Sequence, residues 1–245
     1  MAGPTLTIQP PTRASRLGGI MQVAEVRVNA RVGIGQNVKL ISAGCEFPNT
    51  EVLRCFAEAE VPDKTYDPIV IDDAVAEPFV IFAGVQCHLS ADVSDYLPRA
   101  RQQLEDGQGR VLEDALESWG VGGTALAAGG SPTGAIARVD QELDDKYIGR
   151  GVILMSRFDA VLAAANGALK DVNGVPTTIN GTPVIASGRV APGTVYGFGS
   201  IVIEHSPVTD GEATDHETNK HFALAEATYV LAVDCEFRVK SSTAA

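Results

Sequence analysis

Residues 90–120, SADVSDYLPRARQQLEDGQGRVLEDALESWG, form the longest periodic stretch of the chain, and the other segments take their place from it. Asp95 stands where an N-cap carboxylate can accept orphan backbone N–H groups, and Pro98 falls in the first turn, where a missing N–H costs nothing. Leu97, Ala100, Leu104, Val111, Ala115 and Trp119 recur at helical spacing, and Leu112 and Leu116 widen the apolar stripe. Arg101/Glu105 and Arg110/Asp114 are expected to pair i,i+4 on the wet side. A continuous helix from Tyr96 to Trp119 would run roughly 36 Å, about twice the usual globular length. Gly107 and Gly109 oppose this, each costing about 1 kcal/mol against alanine, so the helix is expected to bend or break there. Two short helices are the alternative reading.

Upstream of the helix, Phe79 to Leu89 alternates, with Phe79, Ile81, Ala83, Val85, Cys87 and Leu89 on one side of an expected strand and His88 on the polar side. Residues 38–78 hold short apolar stretches, VKLI, EVLRCF and PIVI, between proline turns, and read as a long hairpin with little core of its own. Residues 1 to about 20 are rich in glycine and proline and read as an extended arm that needs a neighbour. The alternation Val26, Val28, Ala30, Val32 predicts a strand over 23–32, and Gly33-Ile34-Gly35 lacks the rest of a dinucleotide fingerprint, so it reads as a turn.

Downstream, GVGGTALAAGGSPTG (120–134) reads as a glycine-rich link between two subdomains, without the Gly-Lys-Ser of a phosphate loop or the G-x-S-x-G of a nucleophile elbow. Residues 151–155 predict a buried strand, and Ser156 with Asp159 caps a helix that ends at Asn166-Gly167. Asn180-Gly181 marks a tight turn before a short strand over 183–186, and a further strand is expected over 200–204. EHSPVTDGEATDHETNKH (204–221) gathers Glu204, His205, Asp210, Glu212, Asp215, His216, Glu217 and His221, and reads as a mobile solvated loop rather than a cation site. Tyr229 to Lys240 alternates throughout and predicts one long, half-buried strand.

With 245 residues, 45% apolar and 20% charged, the chain can bury one sizeable core or two small ones. The apolar runs are strand-sized and the N-terminus lacks an apolar h-region, so neither a membrane span nor a secretory signal is expected. Cys45, Cys55, Cys87 and Cys235 show no C-x-x-C spacing, and in a chain expected to stay inside a cell they read as reduced packing residues. A formal charge of −12 argues against tight binding to nucleic-acid phosphates.

Arm, long hairpin, strand, long helix, separate α/β lobe and closing strand: this order resembles the major capsid protein of tailed double-stranded DNA bacteriophages, the Hong Kong 97-type capsid fold. The resemblance runs over nearly the whole chain. It is carried by FVIFAGVQCHLSADVSDYLP leading into the helix, by GVILMSRFDAVLAAANG followed by NGTPVIAS, and by the closing HFALAEATYVLAVDCEFRVKSS. It implies an α+β fold with an N-terminal arm at 1–37, an extended E-loop at 38–78 and a peripheral domain at 79–122. An axial domain follows at 123–225, and 226–245 return to the peripheral domain as its C-terminal strand. The implied function is structural and not enzymatic, with no catalytic, cofactor or metal residues. Hexamers and pentamers of one chain would tile an icosahedral shell around a double-stranded DNA genome without binding it specifically. The implied partners are further copies of the chain, a scaffolding protein or protease, a portal and decoration proteins, with no membrane. The implied location is the virion, after assembly in the host cytoplasm.

Some members of that family join an E-loop lysine to an asparagine of a neighbouring subunit, and Lys64 and Asn219 are the nearest candidates here. An encapsulin-like protein compartment would share the fold. A rival from another class is a small cytosolic hydrolase using His216 or His221 with Ser131 or Ser200, whose groups would lie on a flexible loop, a poor start for preorganisation.

Overall fold

A computed structural model describes residues 13, 16–33, 38–41, 44, 45, 47, 74–88 and 95–244. The first described elements are a one-turn helix, α1 (Ile20–Val23), and a strand, β1 (Glu25–Val28), shorter than the 23–32 expected. Strands β2 (Val38–Leu40) and β3 (Ala74–Ala76) pair antiparallel, Val38 opposite Ala76, at the two ends of the expected hairpin. Residues 48–73, most of that hairpin, lie outside the described residues. Strand β4 (Phe79–His88) buries Ile81 and Ala83 and leaves Phe82 exposed, as its alternation requires.

Helix α2 (Tyr96–Gly120) is unbroken over 25 residues, about 37 Å of rise. Neither Gly107 nor Gly109 interrupts it. Its buried line runs through Ala100, Leu104, Leu112, Leu116 and Gly120, so the stripe is centred one residue away from the expected one and Val111 is exposed. Asp95 precedes the helix but does not cap it with its side chain: its backbone is already near helical (φ −104°, ψ 0°), and the carboxylate lies 3.8 Å from Arg99 instead.

After α2 comes a short strand, β5 (Thr124–Ala125), and then a helix that the sequence reading missed, α3 (Pro132–Lys146). Ser131, read as part of a link, is its N-cap: the hydroxyl accepts from Gly134 N–H at 3.0 Å, and Pro132 starts the helix without a wasted donor. Strand β6 (Val152–Ser156) is buried at every position. Ser156 Oγ accepts from Asp159 N–H at 2.9 Å and donates to Asp159 Oδ2 at 2.8 Å, starting α4 (Arg157–Ala165) where the sequence placed it. A hairpin of β7 (Leu169–Val172) and β8 (Val175–Thr178) follows, then β9 (Val184–Ser187), β10 (Thr194–Phe198) and β11 (Ile201–His205).

The acidic stretch is not a loose loop. Strand β12 (Thr209–Asp215) pairs antiparallel with β13 (Lys220–Val233), from Thr209 opposite Glu226 to Asp215 opposite Lys220. Asp215 closes the turn by accepting from the N–H groups of Glu217 and Thr218 and from Thr218 Oγ1. The closing strand is also two strands, not one. Cys235 (φ 57°) and Glu236 (φ 46°) break it after β13, and β14 (Arg238–Ser242) continues in another sheet. A period-2 pattern survives such a break because the alternation resumes on both sides of it.

The first sheet runs β1-β11-β13-β12, with β4 on the other edge of β13; the second runs β5-β14-β10-β6-β9. Helix α2 covers one face of the first sheet, where Leu104, Leu112 and Leu116 share a core with Ile81, Ala225, Ala227, Tyr229 and Ile203. The same core takes Val152 and Leu154 of β6, whereas Ile153 and Met155 enter a second core under α3 and α4. Both faces of the second sheet are therefore covered, the physical reason that β6 reads as an uninterrupted apolar run.

Cys45 and Cys235 form a disulfide with Cα atoms 5.6 Å apart, 190 residues apart in sequence, against the expectation of reduced packing thiols. Spacing in sequence carries no information about such a pair; only the return of the chain brings the two together. Cys87 is unbridged, and its Sγ lies 3.8 Å from the carbonyl of His221.

Candidate assembly surfaces and the socket for the arm

One turn apart on α2, Gly109 and Glu113 make a notch into which residues 16–23 fit. A methyl group on Gly109 would stand 3.2 Å from Met21 Cγ, so the bare backbone there is what lets α1 approach. Glu113 is fully buried, and its carboxylate is satisfied by three donors. Arg16 Nη1 donates to Oε2 at 2.8 Å, Ser187 Oγ donates to the same oxygen at 2.6 Å, and the Ile20 N–H reaches Oε1 at 3.2 Å. Arg16 Nη2 also donates to the carbonyl of Ala186 at 2.6 Å, and Ala186 N–H donates to the carbonyl of Gly18 at 3.3 Å. A buried carboxylate tolerates its position only when its lone pairs are taken up in this way. The described part of the expected arm thus finds its neighbour within its own chain, with Ile20 fully buried in the shared core.

The far end of α2 is fixed to the second sheet. Gly120 lets the ring of Phe198 come so close that a methyl there would sit 2.6 Å from Cζ. Trp119 stacks on Phe198 with ring centroids 5.8 Å apart, and the Arg238 guanidinium lies 4.5 Å over the indole while donating to the Trp119 carbonyl. The turn between β13 and β14 is braced from below: the Tyr147 hydroxyl donates to Asp234 Oδ2 at 2.8 Å and accepts from Ser200 N–H at 3.0 Å. Burial raises the pKa of Tyr147, and the charge of Asp234 adds to the effect. Tyr229, buried against α2 with its hydroxyl on Gln108 Oε1, is pushed up to about 12 by burial.

The expected i,i+4 pairs on α2 give way to longer-range ones. Arg101 binds Asp210 of β12, whose hydrogen bond holds that carboxylate below its usual range, and Arg189 binds Asp114 at 2.9 Å. Both pairs tie loops or strands to the helix at the surface, where screening keeps such contacts weak.

Three apolar side chains of α4 face away from the core: Phe158 is 62% exposed, Val161 64% and Leu162 40%, while Ala160 and Ala163 on the opposite side are buried. Ile179 and Val172, around the β7-β8 hairpin, are also exposed. The sequence already carried this signal, since RFDAVLAAA has more apolar residues than one buried face can use.

The residues of the hydrolase reading do not converge. Ser131 caps α3, Ser200 Oγ donates to the carbonyl of Arg150, and His221 Nδ1 lies 3.2 Å from Thr214 Oγ1 across the β12-β13 hairpin. His216 is exposed in the turn of that hairpin. Among the described residues no group of three or more His, Cys, Asp or Glu side chains is placed to hold a metal ion, and no helix is long and apolar enough to cross a membrane. Asn219 occupies the same turn with φ 54°, and Lys64 lies outside the described residues. The sequence reading missed Glu113 and Arg16; a glutamate beside Leu112 on an apolar stripe was the available sign of a buried charge.

No protein-family model matches the chain, and no curated protein matches it. Solved structures do. The capsid of an empty GTA particle is similar at 14% identity, with a TM-score of 0.59 over 100% of this chain and 95% of that one. The capsid of Ralstonia phage GP4 is similar at 11% identity, with a TM-score of 0.60 over 98% of this chain and 95% of that one. A structure of the major capsid and decoration proteins of phage G gives 10% identity and a TM-score of 0.53 over 97% and 92%. With both chains covered almost end to end, the chain has the α+β fold of bacteriophage capsid proteins.

Proposed function

We propose that the chain is the major capsid protein of a tailed phage, assembling as hexamers and pentamers into an icosahedral shell that encloses double-stranded DNA. The observation that carries this reading is the end-to-end likeness to capsid subunits at TM-scores near 0.6. In this reading residues 1–37 are the arm, 38–78 the E-loop, 79–122 with 226–245 the peripheral domain and 123–225 the axial domain. The exposed apolar side chains of α4 and the β7-β8 hairpin support self-association, because a solitary subunit would leave them in water. The net charge of −12 supports a container rather than a DNA-binding surface. A scaffolding protein or protease, a portal and decoration proteins are the partners such a shell would need.

Sedimentation and electron microscopy of the purified chain, with a cognate scaffold where one is needed, test the proposal. Closed icosahedral particles are expected, and a stable monomer at high concentration under all these conditions would refute it. Nucleic acid inside particles taken from infected cells supports the capsid reading, and packaged enzymes in place of a genome would move it to a compartment shell. Deleting residues 46–73 should leave a folded subunit that closes no shells; particles of normal size would refute the E-loop assignment.

A further inference from the structure

The Cys45–Cys235 bridge has a location that gives it a task. Cys45 follows β2 at the base of the 38–78 segment, and Cys235 sits at the turn where the chain leaves the first sheet for the second. That turn does not need the bridge for its shape: Asp234 N–H donates to Ser200 O at 2.9 Å, Phe237 N–H to Asp234 O at 3.2 Å, and Tyr147 holds the Asp234 carboxylate. At the base of the segment the described strands are short: β2 and β3 are three residues each, and among the described residues their ladder joins them to one another. The bridge is thus a fastening added to a finished turn. A chain made in a cytoplasm starts with both thiols reduced, and a particle that leaves the cell meets oxidising conditions.

We propose that Cys45 and Cys235 form a redox clasp, open as two thiols inside the host and closed after release, which fastens the base of the 38–78 segment to the turn joining the two sheets. Closure is thiol–disulfide exchange. The Cys45 or Cys235 thiolate attacks a small-molecule disulfide such as glutathione disulfide and expels one small thiolate, and the second cysteine thiolate then attacks the protein sulfur of the mixed disulfide and expels the other. One S–S bond forms in the protein, one is lost from the oxidant, and two small thiols leave with the two protons. The timing rests on the capsid reading; the fastening does not.

The test keeps the two apart. Thiols are trapped by alkylation in intact producing cells and again in purified particles or subunits treated with glutathione disulfide, and peptides are mapped without reduction. Alkylated Cys45 and Cys235 in cells, followed by a Cys45–Cys235 linked peptide after oxidation, is the expected result. A bridge already complete in reducing cells, no bridge after oxidation, or pairing of Cys45 with Cys55 or Cys87 would each overturn the proposal. On the purified full-length chain, reduction should speed amide exchange at Val38–Leu40 and Ala74–Ala76 roughly tenfold or more, while the β13 amides paired with β4 keep their rates. The Cys45→Ser variant should show the fast rates with or without reductant, and Cys87→Ser should behave as wild type. Unchanged exchange on reduction of wild type overturns the fastening even if Cys45→Ser fails to fold. Shell formation is scored separately by microscopy, so a chain that bridges but never assembles counts against the capsid reading alone.

Discussion

Replacing Glu113 by alanine should cost the subunit about 3 kcal/mol, the low end for breaking a buried ion pair by removing one partner. Glu113 is fully buried and receives three donors: Arg16 Nη1 at 2.8 Å, Ser187 Oγ at 2.6 Å and Ile20 N–H at 3.2 Å. Without the carboxylate the Ser187 hydroxyl and the Ile20 amide lose their acceptor in the interior, at about 1–3 kcal/mol for each stranded group before relaxation. Arg16 softens the loss, because its side chain is 23% exposed and keeps its bond to the Ala186 carbonyl. The assay is urea unfolding of the unassembled subunit. A loss of about 3 kcal/mol would lower the midpoint by about 1 M with the slope unchanged. Arg16→Met combined with Glu113→Gln should cost less than the sum of the single changes, since no ion is then left without its counter-ion. A loss below about 1 kcal/mol for Glu113→Ala, or strict additivity in the double variant, would refute the view that this cluster holds residues 16–23 in the helix notch.

The two glycines of α2 should separate. A methyl on Gly107 meets nothing within 4 Å, so Gly107→Ala is expected to stabilise by about 1 kcal/mol, whereas Gly109→Ala must displace Met21 at 3.2 Å and should gain less or lose; equal gains in urea unfolding would refute the notch. Tyr229, with its pKa raised from about 10 to about 12, favours the folded state fully below pH 10, and that contribution fades as pH climbs through 12. Ultraviolet titration should therefore show a late phenolate phase that loses the absorbance of one tyrosine in Tyr229→Phe, and a late phase of unchanged amplitude in the variant would refute the assignment. Phe158→Asp with Val161→Asp changes only exposed positions of α4 and should leave the subunit folded while preventing particle formation, judged by circular dichroism and sedimentation. Normal particles from that variant would show that the face serves no contact in the shell.

For several segments one local rule was sufficient. Helix α2 follows from a 3.6-residue apolar period, the start of α4 from Ser156 and Asp159, and β4 from strict alternation ending in the inward Ile81 and Ala83. The order of these elements carried the resemblance to a capsid fold, because order is a property of the whole chain that survives the loss of sequence identity. Residues that act through distant partners were not legible. Asp95 had the right identity for a cap and the wrong backbone geometry, and Arg101 preferred Asp210, more than a hundred residues on, to Glu105 one turn away. The β12-β13 hairpin is polar enough to read as a loop, yet ladder bonds on both edges of β13 hold it as strand. The split between β13 and β14 depends on two positive φ values that alternation cannot report. Cys45 and Cys235, Arg16 and Glu113, and Gly109 and Met21 each meet across long stretches of chain. Local periodicity placed the inward face of β4, and that of α2 to within one residue; which distant residue would complete a charge, a thiol or a bare backbone was decided by the closing of the two sheets around α2.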